Sequence, residues 1–222
     1  MTESVKLISV TPNAERHIAY CARVSNPKNQ SNQGFEGLIK YCIKNQHWSI
    51  FEHAFLTVEI NTSLAIATQI LRHRSFTFQQ FSQRYADSTE LQLEIPVPDL
   101  RRQDTKNRQN STDDLGSDLK ETMSLMIKKH FEESLNIYNL LLAQGVAKEC
   151  ARFVLPQATQ TRLYMSGSIR SWIHYIDLRS AHGTQAEHKE IAERCKCIFV
   201  DEFPTIASAL DWVCFEPPSL LF

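Results

Sequence analysis

From Leu119 to Leu142 the apolar side chains fall at helical spacing: Leu119, Met123, Met126, Ile127, Leu135, Tyr138, Leu141 and Leu142. No other pattern in the chain constrains the fold as strongly. It predicts one long helix with its Met and aromatic positions in the core and Gly145 at its C-cap. Three short alternating stretches read as strands: Val5 to Val10, Ala54 to Ile60 and Thr159 to Ser166. In the second, Leu56, Val58 and Ile60 share one side. Helical patterns separate these strands in irregular order. One starts at Thr11-Pro12-Asn13, with Ile18, Cys21 and Ala22 on a face; another carries Leu38, Ile39, Cys42 and Ile43. A third is capped by Thr62 or Ser63 and carries Leu64, Ala67, Ile70 and Leu71. A short helix from Ala147 to Val154 ends ahead of Pro156. Ser168 caps a helix with the stripe Ile169, Trp172, Ile173 and Ile176, and the last long helix spans about Thr184 to Val200. This order predicts an α+β fold, a mixed domain with a central sheet flanked by long helices. The reading takes residues 1–222 as one domain, with a long polar loop at about 87–117.

Charge and hydropathy narrow the function classes. The chain carries 24 Lys+Arg against 25 Asp+Glu. Proteins that bind nucleic acid or a membrane surface usually show a basic excess, so neither partner is expected. No apolar run reaches the roughly 18 residues of a membrane span. MTESVKLISV lacks the order of a signal peptide, so a cytoplasmic protein is expected. Cys21, Cys42, Cys150 and Cys195 fall on apolar helix stripes and read as buried thiols in a reducing compartment. Cys195-x-Cys197 is a weak metal signal, and no bound metal is expected.

One stretch departs from ordinary core-and-surface patterning. ILRHRSFTFQQFSQRYADS, residues 70–88, places Arg72-His73-Arg74 at the end of a helical pattern. Cations there meet the negative end of a helix dipole, so a charged helix C-terminus is one reading. An anion site is the other. Gln69 shares a helix face with Arg72 and His73, and Ser82-Gln83-Arg84 adds a hydroxyl, an amide and a guanidinium. Arg152, Arg170 and Arg179 supply further forks, with Arg170, His174 and Asp177 on one helix face. Ser82 is the candidate nucleophile, but no dedicated base is visible beside it. Phosphate-loop, dinucleotide-loop, zinc-protease and nucleophile-elbow motifs are absent.

Arg72-His73-Arg74-x-x-Thr77-x-Gln79-x-x-Ser82-x-Arg84 resembles the R-H-R-x-x-S-x-N-x-x-S-x-R signature of flavin-dependent thymidylate synthases. His47-x-Ser49-x-Phe51-Glu52-His53, Ala151-Arg152-x-Val154-Leu155-Pro156 and Ser168-x-Arg170-Ser171 through Leu178-Arg179 resemble further segments of that family. The resemblance runs from Leu7 to Phe203. It implies that deoxyuridine monophosphate (dUMP) is converted to thymidine monophosphate (dTMP). The carbon would come from 5,10-methylenetetrahydrofolate and the hydride from FAD reduced by NADPH. It also implies a homotetramer with sites shared between subunits. The flavin contacts implied are Ser49, Arg72, His73, Arg74, Gln80, Ser168, Ile169, Arg170 and His174. Those implied for the nucleotide are Gln69, Ile70, Leu71, Arg72, Gln80, Phe81, Ser82, Gln83, Arg84, Arg152 and Arg179. Arg179 is the implied catalytic residue, stabilising negative charge on the uracil ring. Gln80 stands where many members have Glu, and Ser168 and His174 where some have Asn. The competing reading from another class is a non-catalytic nucleotide- or RNA-binding module.

Overall fold

A computed structural model describes residues 3–91 and 94–214. Its strands are β1 (Ser4–Val10), β2 (Phe55–Ser63), β3 (Thr77–Gln80), β4 (Arg102–Gln103), β5 (Ser111–Thr112) and β6 (Gln160–Ser168). The helices are α1 (Ala14–Ala22), α2 (Glu36–Lys44), α3 (Leu64–Ile70), α4 (Ser117–Ala143), α5 (Lys148–Ala151), α6 (Ile169–Ser180), α7 (Ala186–Glu202) and α8 (Pro204–Ala209). The main sheet has the order β1-β2-β6-β3 with every neighbour antiparallel. The mixed helix-and-sheet class expected from the sequence is the one found.

Alternation decides which face of the sheet is covered. Leu56, Val58 and Ile60 on β2 and Leu163 and Met165 on β6 are fully buried. Trp172, Ile173 and Ile176 of α6, with Ile191, Cys195 and Phe199 of α7, belong to the same core. Each large side chain buried this way stabilises the fold by roughly 1.5–3 kcal/mol. The Trp172 indole N–H is satisfied by the Leu56 carbonyl at 2.9 Å. The opposite face is polar: Tyr164 donates to Glu59 at 2.9 Å, and Arg162 donates to Asn61 at 2.8 Å.

Both strand-to-helix junctions that matter for the site are capped by serine. Ser63 accepts from the Ile66 amide and Ser168 from the Ser171 amide. Because β2 and β6 run antiparallel, α3 and α6 start at opposite ends of this strand pair. A longer-range cap comes from buried Glu15 of α1, which accepts the Ile206 amide of α8 at 2.8 Å.

Gly167 on β6 admits no side chain. A Cβ there would lie 2.5 Å from Cδ1 and 2.7 Å from Cε1 of Phe76. That ring is held edge-on by Trp172 at 4.9 Å and Tyr175 at 5.8 Å, so it cannot swing aside. Gly167→Ala should lower stability by about 1–3 kcal/mol, the usual cost of overpacking. The expected readout is a lower urea midpoint at unchanged slope. An unchanged midpoint would mean that Phe76 gives way.

Several expectations are corrected. On α1 the buried face is Ala14, Ile18 and Ala19, while Cys21 and Ala22 are half-buried. Ile66 rather than Leu64 or Leu71 shares the inner face of α3 with Ala67 and Ile70. The long helix α4 is present, and Gly145 follows it at φ 78° as a C-terminal glycine should. Of its apolar positions Tyr138 is core as expected, but most of the others are not. Only Ser134 and Tyr138 are buried, and Leu119, Met123 and Met126 are exposed. Periodicity reports that a helix has an apolar face, not that the same chain covers it. The four-residue β3 and the β4–β5 hairpin were not expected either. Within the polar segment, Arg101 donates to Glu187 at the start of α7 at 2.7 Å, and Ser88 N–H donates to the Tyr138 hydroxyl at 3.2 Å. Cys42 and Cys195 are buried thiols, but Cys150 is exposed on α5. Cys197 and Cys214 form a disulfide, because the chain turns back along α7 after α8.

Candidate active site

The signature cations lie beyond α3 rather than in its last turn. The helix ends at Ile70 with Leu71 at the C-cap, and Ile70 O then accepts from His73 N at 3.0 Å. A second turn, Phe76 N to His73 O at 3.2 Å, leads into β3, where Thr77 pairs with Ser166. The charged-helix-end reading is therefore replaced by a folded loop clamped between a helix and an edge strand. Arg72 and Arg74 point to solvent, and neither has an ion-pair partner among the described residues. His73 turns inward. Its Nε2 accepts from Arg179 Nε at 2.9 Å, and its ring meets Tyr175 edge-on at 4.9 Å. Burial first, then the charges of Arg179 and His174, push His73 down to about 4. It is neutral at pH 7, with its proton on Nδ1.

Gln69 belongs to the same cluster. Its amide N–H donates to Gln185 at 2.7 Å, and its carbonyl oxygen lies 3.3 Å from Nδ1 of buried His188. His188 Nε2 lies 3.2 Å from the Tyr175 hydroxyl. The structure thus gathers Gln69, His73 and Arg179, and adds Tyr175, Gln185 and His188, which were not anticipated. Tyr175 was the missed member of the α6 stripe, and its burial pushes its hydroxyl well above the ordinary tyrosine range.

A cavity of about 970 Å³ opens beside this cluster. Trp48, Phe55 and Trp212 give it aromatic walls, and Ser75, Thr77, Ser166 and Ser171 supply hydroxyls. Of the expected flavin contacts, Ser168, Arg170 and His174 line it. Arg170 is held in place by Glu52, which the motif contains but the residue assignment omitted. Ser49 is exposed on the 3-10 turn Trp48–Glu52 and is not among the lining residues; its neighbour Trp48 is. Ile169 is wholly buried and presents no side chain to a ligand; its amide donates to Ala54 at 2.9 Å. Gln80 donates to Thr161 at 3.2 Å.

The remaining nucleotide candidates lie apart. Ile70 is buried and offers only backbone, whereas Leu71 is exposed. Phe81 N–H continues the β3 pairing by donating to Arg162 O at 2.8 Å. Ser82 is exposed, and its carbonyl accepts from Tyr85 and Ala86 at 3.0 Å, closing a turn. The Gln83 amide nitrogen is buried with no partner among the described residues. Arg84 pairs with Glu149 at 2.9 Å, and Arg152 stacks over Phe153 at 5.8 Å. None of Arg84, Arg152 and Arg179 lines the cavity. The described part of this chain therefore presents the expected flavin and nucleotide residues as neighbouring groups rather than as a single pocket.

No three His, Cys, Asp or Glu side chains among the described residues come together as a possible metal site. No described helix is long and apolar enough to cross a membrane.

Two cations without ion-pair partners among the described residues, a neutral histidine accepting from an arginine and a large cavity with aromatic walls are the chemical features of this α+β protein. A family model described as thymidylate synthase complementing protein matches residues 6–205. The chain is 55% identical over 219 residues to a probable flavin-dependent thymidylate synthase of Paramecium bursaria Chlorella virus 1, covering 95% of this chain and 100% of that one. It is 52% identical over 195 residues to the flavin-dependent thymidylate synthase of a Synechocystis strain, covering 88% of each. A UMP/dUMP methylase of Streptomyces cacaoi, solved with 5-Br UMP, superposes with a TM-score of 0.82 at 25% identity, over 95% of this chain and 94% of that one. The chain belongs to the family of flavin-dependent thymidylate synthases.

Proposed function

We infer that this chain methylates dUMP to dTMP, taking its carbon from 5,10-methylenetetrahydrofolate, with FAD as cofactor and NADPH as reductant. The observation that carries this reading is the Arg179–His73 bond beside Gln69, set next to two cations without ion-pair partners. The alternative of a non-catalytic nucleotide- or RNA-binding module has no support beside it, since the relatives above are named as enzymes.

The residues present suit a flavin dinucleotide. Arg72 and Arg74 have guanidinium groups to spare for a pyrophosphate. The neighbouring cavity offers aromatic walls and Arg170, oriented by Glu52. Ser49, His73, Gln80, Ser168, the backbone of Ile169 and His174 complete the flavin contacts in this reading. Bound FAD, once reduced by NADPH, supplies the hydride of the methyl transfer.

The chain's own part is to hold the nucleotide and stabilise charge on its ring. Arg84 and Arg152 take the phosphate. Arg84 is shared with Glu149, so an incoming phosphate meets a fork already held in place. The backbone of Ile70, Leu71 and Phe81 and the side chains of Gln69, Arg72, Gln80, Ser82 and Gln83 surround the rest. The partnerless Gln83 amide nitrogen is a donor awaiting an acceptor. Arg179 acts on the uracil ring. His73, neutral, accepts from its Nε and so fixes the plane of the guanidinium without removing its charge. The Nη groups remain for the ring oxygen and N3, where negative charge develops. Ser82 has no base within its turn, so it binds rather than attacks.

Residues 1–222 act as one catalytic domain in this reading, with Arg101 of the polar segment tied to Glu187 of α7. A homotetramer covers the exposed Leu125, Met126 and Leu140 of α4 and joins the neighbouring residue groups into shared sites. Its substrates place it in the cytoplasm.

The test is direct. The purified protein should show a flavin absorbance spectrum, bleach with NADPH under anaerobic conditions, and yield dTMP when dUMP and 5,10-methylenetetrahydrofolate are added. Failure to bind FAD, or flavin reoxidation without dTMP, would refute the reading.

A further inference from the structure

We propose that His188 and Tyr175 are positioning residues that fix which end of the Gln69 amide faces the nucleotide. The proposal rests on the reading that Gln69 contacts dUMP.

A glutamine amide is nearly symmetric in shape, so its two orientations exchange a donor for an acceptor at the same place. At Gln69 the neighbours remove that freedom. Gln69 Nε2 donates to the carbonyl oxygen of Gln185 at 2.7 Å. Its Oε1 faces His188 Nδ1 at 3.3 Å, so that nitrogen must carry a proton. His188 Nε2 then holds a lone pair and accepts from the Tyr175 hydroxyl at 3.2 Å. The buried Tyr175 hydroxyl has no other hydrogen-bond partner among the described residues, so its proton goes to His188 and sets the sense of the relay: Tyr175 O–H to His188, His188 N–H to Gln69, Gln69 N–H to Gln185. It leaves Gln69 one amide N–H and one carbonyl lone pair for a ligand.

Packing keeps the relay in this sense. His188 and Tyr175 are wholly buried, so neither can exchange its partner for bulk water. A protonated His188 would donate from both nitrogens and reverse the tyrosine hydroxyl. Burial, with the nearby charges of Arg179 and His73, pushes His188 down to about 3, which prevents this at working pH. The Tyr175 ring also packs edge-on against His73 at 4.9 Å. One buried side chain thus braces both Gln69 and the histidine that grips Arg179. Neither His188 nor Tyr175 can touch substrate, so their effect reaches it through Gln69.

The experiment compares Gln69→Ala, Tyr175→Phe, His188→Gln and His188→Asn, each with flavin absorbance per protomer as the check on folding. Tyr175→Phe keeps the ring against His73 and removes only the hydroxyl. His188→Gln loses the donor at the Nδ1 position, whereas His188→Asn keeps it. We expect the KM for dUMP to rise about fivefold to tenfold in Tyr175→Phe and His188→Gln, with a smaller change in kcat. His188→Asn keeps a donor near the Nδ1 position but loses the acceptor for the Tyr175 hydroxyl, so its KM should rise less than that of His188→Gln. In the Gln69→Ala background, Tyr175→Phe should add no further rise, since there is no amide left to orient. Additive effects in that double variant, or equal damage from the Asn and Gln substitutions, would overturn the proposal. If Gln69→Ala itself leaves the KM unchanged, the nucleotide reading of Gln69 fails and the proposal falls with it. If Gln69→Ala raises the KM while the other variants are silent, only the positioning claim fails. Nitrogen-15 spectra of the unmutated holoenzyme decide the case where a variant does not fold. A neutral His188 ring protonated on Nδ1 supports the relay, and a proton on Nε2 refutes it.

Discussion

Arg179→Ala and Arg179→Lys should both slow thymidylate formation from pre-reduced enzyme by about 10²–10³, the usual effect of removing one preorganised oxyanion donor. The lysine variant should be nearly as damaged as the alanine. A guanidinium presents a planar fork, and its Nε bond to His73 at 2.9 Å sets the plane of that fork. An ammonium offers a point charge that His73 cannot orient. Flavin content should change little, because Arg179 does not line the cavity that holds Arg170 and His174. Part of the defect should appear as weaker dUMP binding, since the same contact exists in the ground state. The measurement is anaerobic reduction of the variant, addition of dUMP and 5,10-methylenetetrahydrofolate, and simultaneous recording of flavin reoxidation and dTMP. Reoxidation coupled to dTMP at the normal rate would remove Arg179 from the chemistry.

Acid should weaken the fold well before its ion pairs titrate. His188 is held at about 3 and His73 at about 4, against 6.5 in an unfolded chain. Depressed values mean that the unfolded chain takes up protons first. The stability involved is complete above about pH 6.5 and is lost progressively as pH falls towards the folded values. For His188 the loss by pH 5 is on the order of 2 kcal/mol, at about 1.4 kcal/mol per pH unit. His73 is only half-buried and adds a smaller part. Glu3 acts in the opposite sense. Burial raises it to about 7 from 4.5, so its contribution is complete below 4.5 and disappears as pH rises through about 7. The two effects overlap between pH 5 and 6.5. Glu3→Gln should therefore unmask the histidine loss in that window and stabilise the protein at pH 8. Urea unfolding at pH 5, 6.5 and 8 checks both. A Glu3→Gln variant whose stability is flat from pH 6.5 to 5 would contradict the neutral, buried histidines.

How much of this was legible in the residues depends on the range of the interaction. Leu56, Val58 and Ile60, or Trp172 and Ile176, announce their burial through local period, and they are buried. The serine caps follow from one side chain and an amide three residues on. Strand β3 was missed because Phe76 and Phe78 alternate too briefly to outweigh the cations before them. On α4 the period located the helix, but Met123 and Met126 show that an apolar face need not be covered by its own chain. Within the site, the family motif named Gln69, His73, Arg170 and Arg179. It did not name what holds them. His188 is 119 residues from Gln69, and Glu52 is 118 residues from Arg170. Partners so distant leave no local trace, and the Cys197–Cys214 link depends on where α8 returns the chain.

The register shift between Leu7 and Ser9 has a consequence for solubility. Strand β1 is one outer edge of the main sheet, and β3 is the other. An open edge is a template on which a foreign strand can add, the first step towards a fibril. Here the long edge is broken by its irregular pairing, with the exposed ammonium of Lys6 beside the break. The other edge is only four residues long, too short to seat a stable added strand. Neither margin offers a long, flat, uncharged ladder, so the sheet resists recruiting unfolded copies of its own chain.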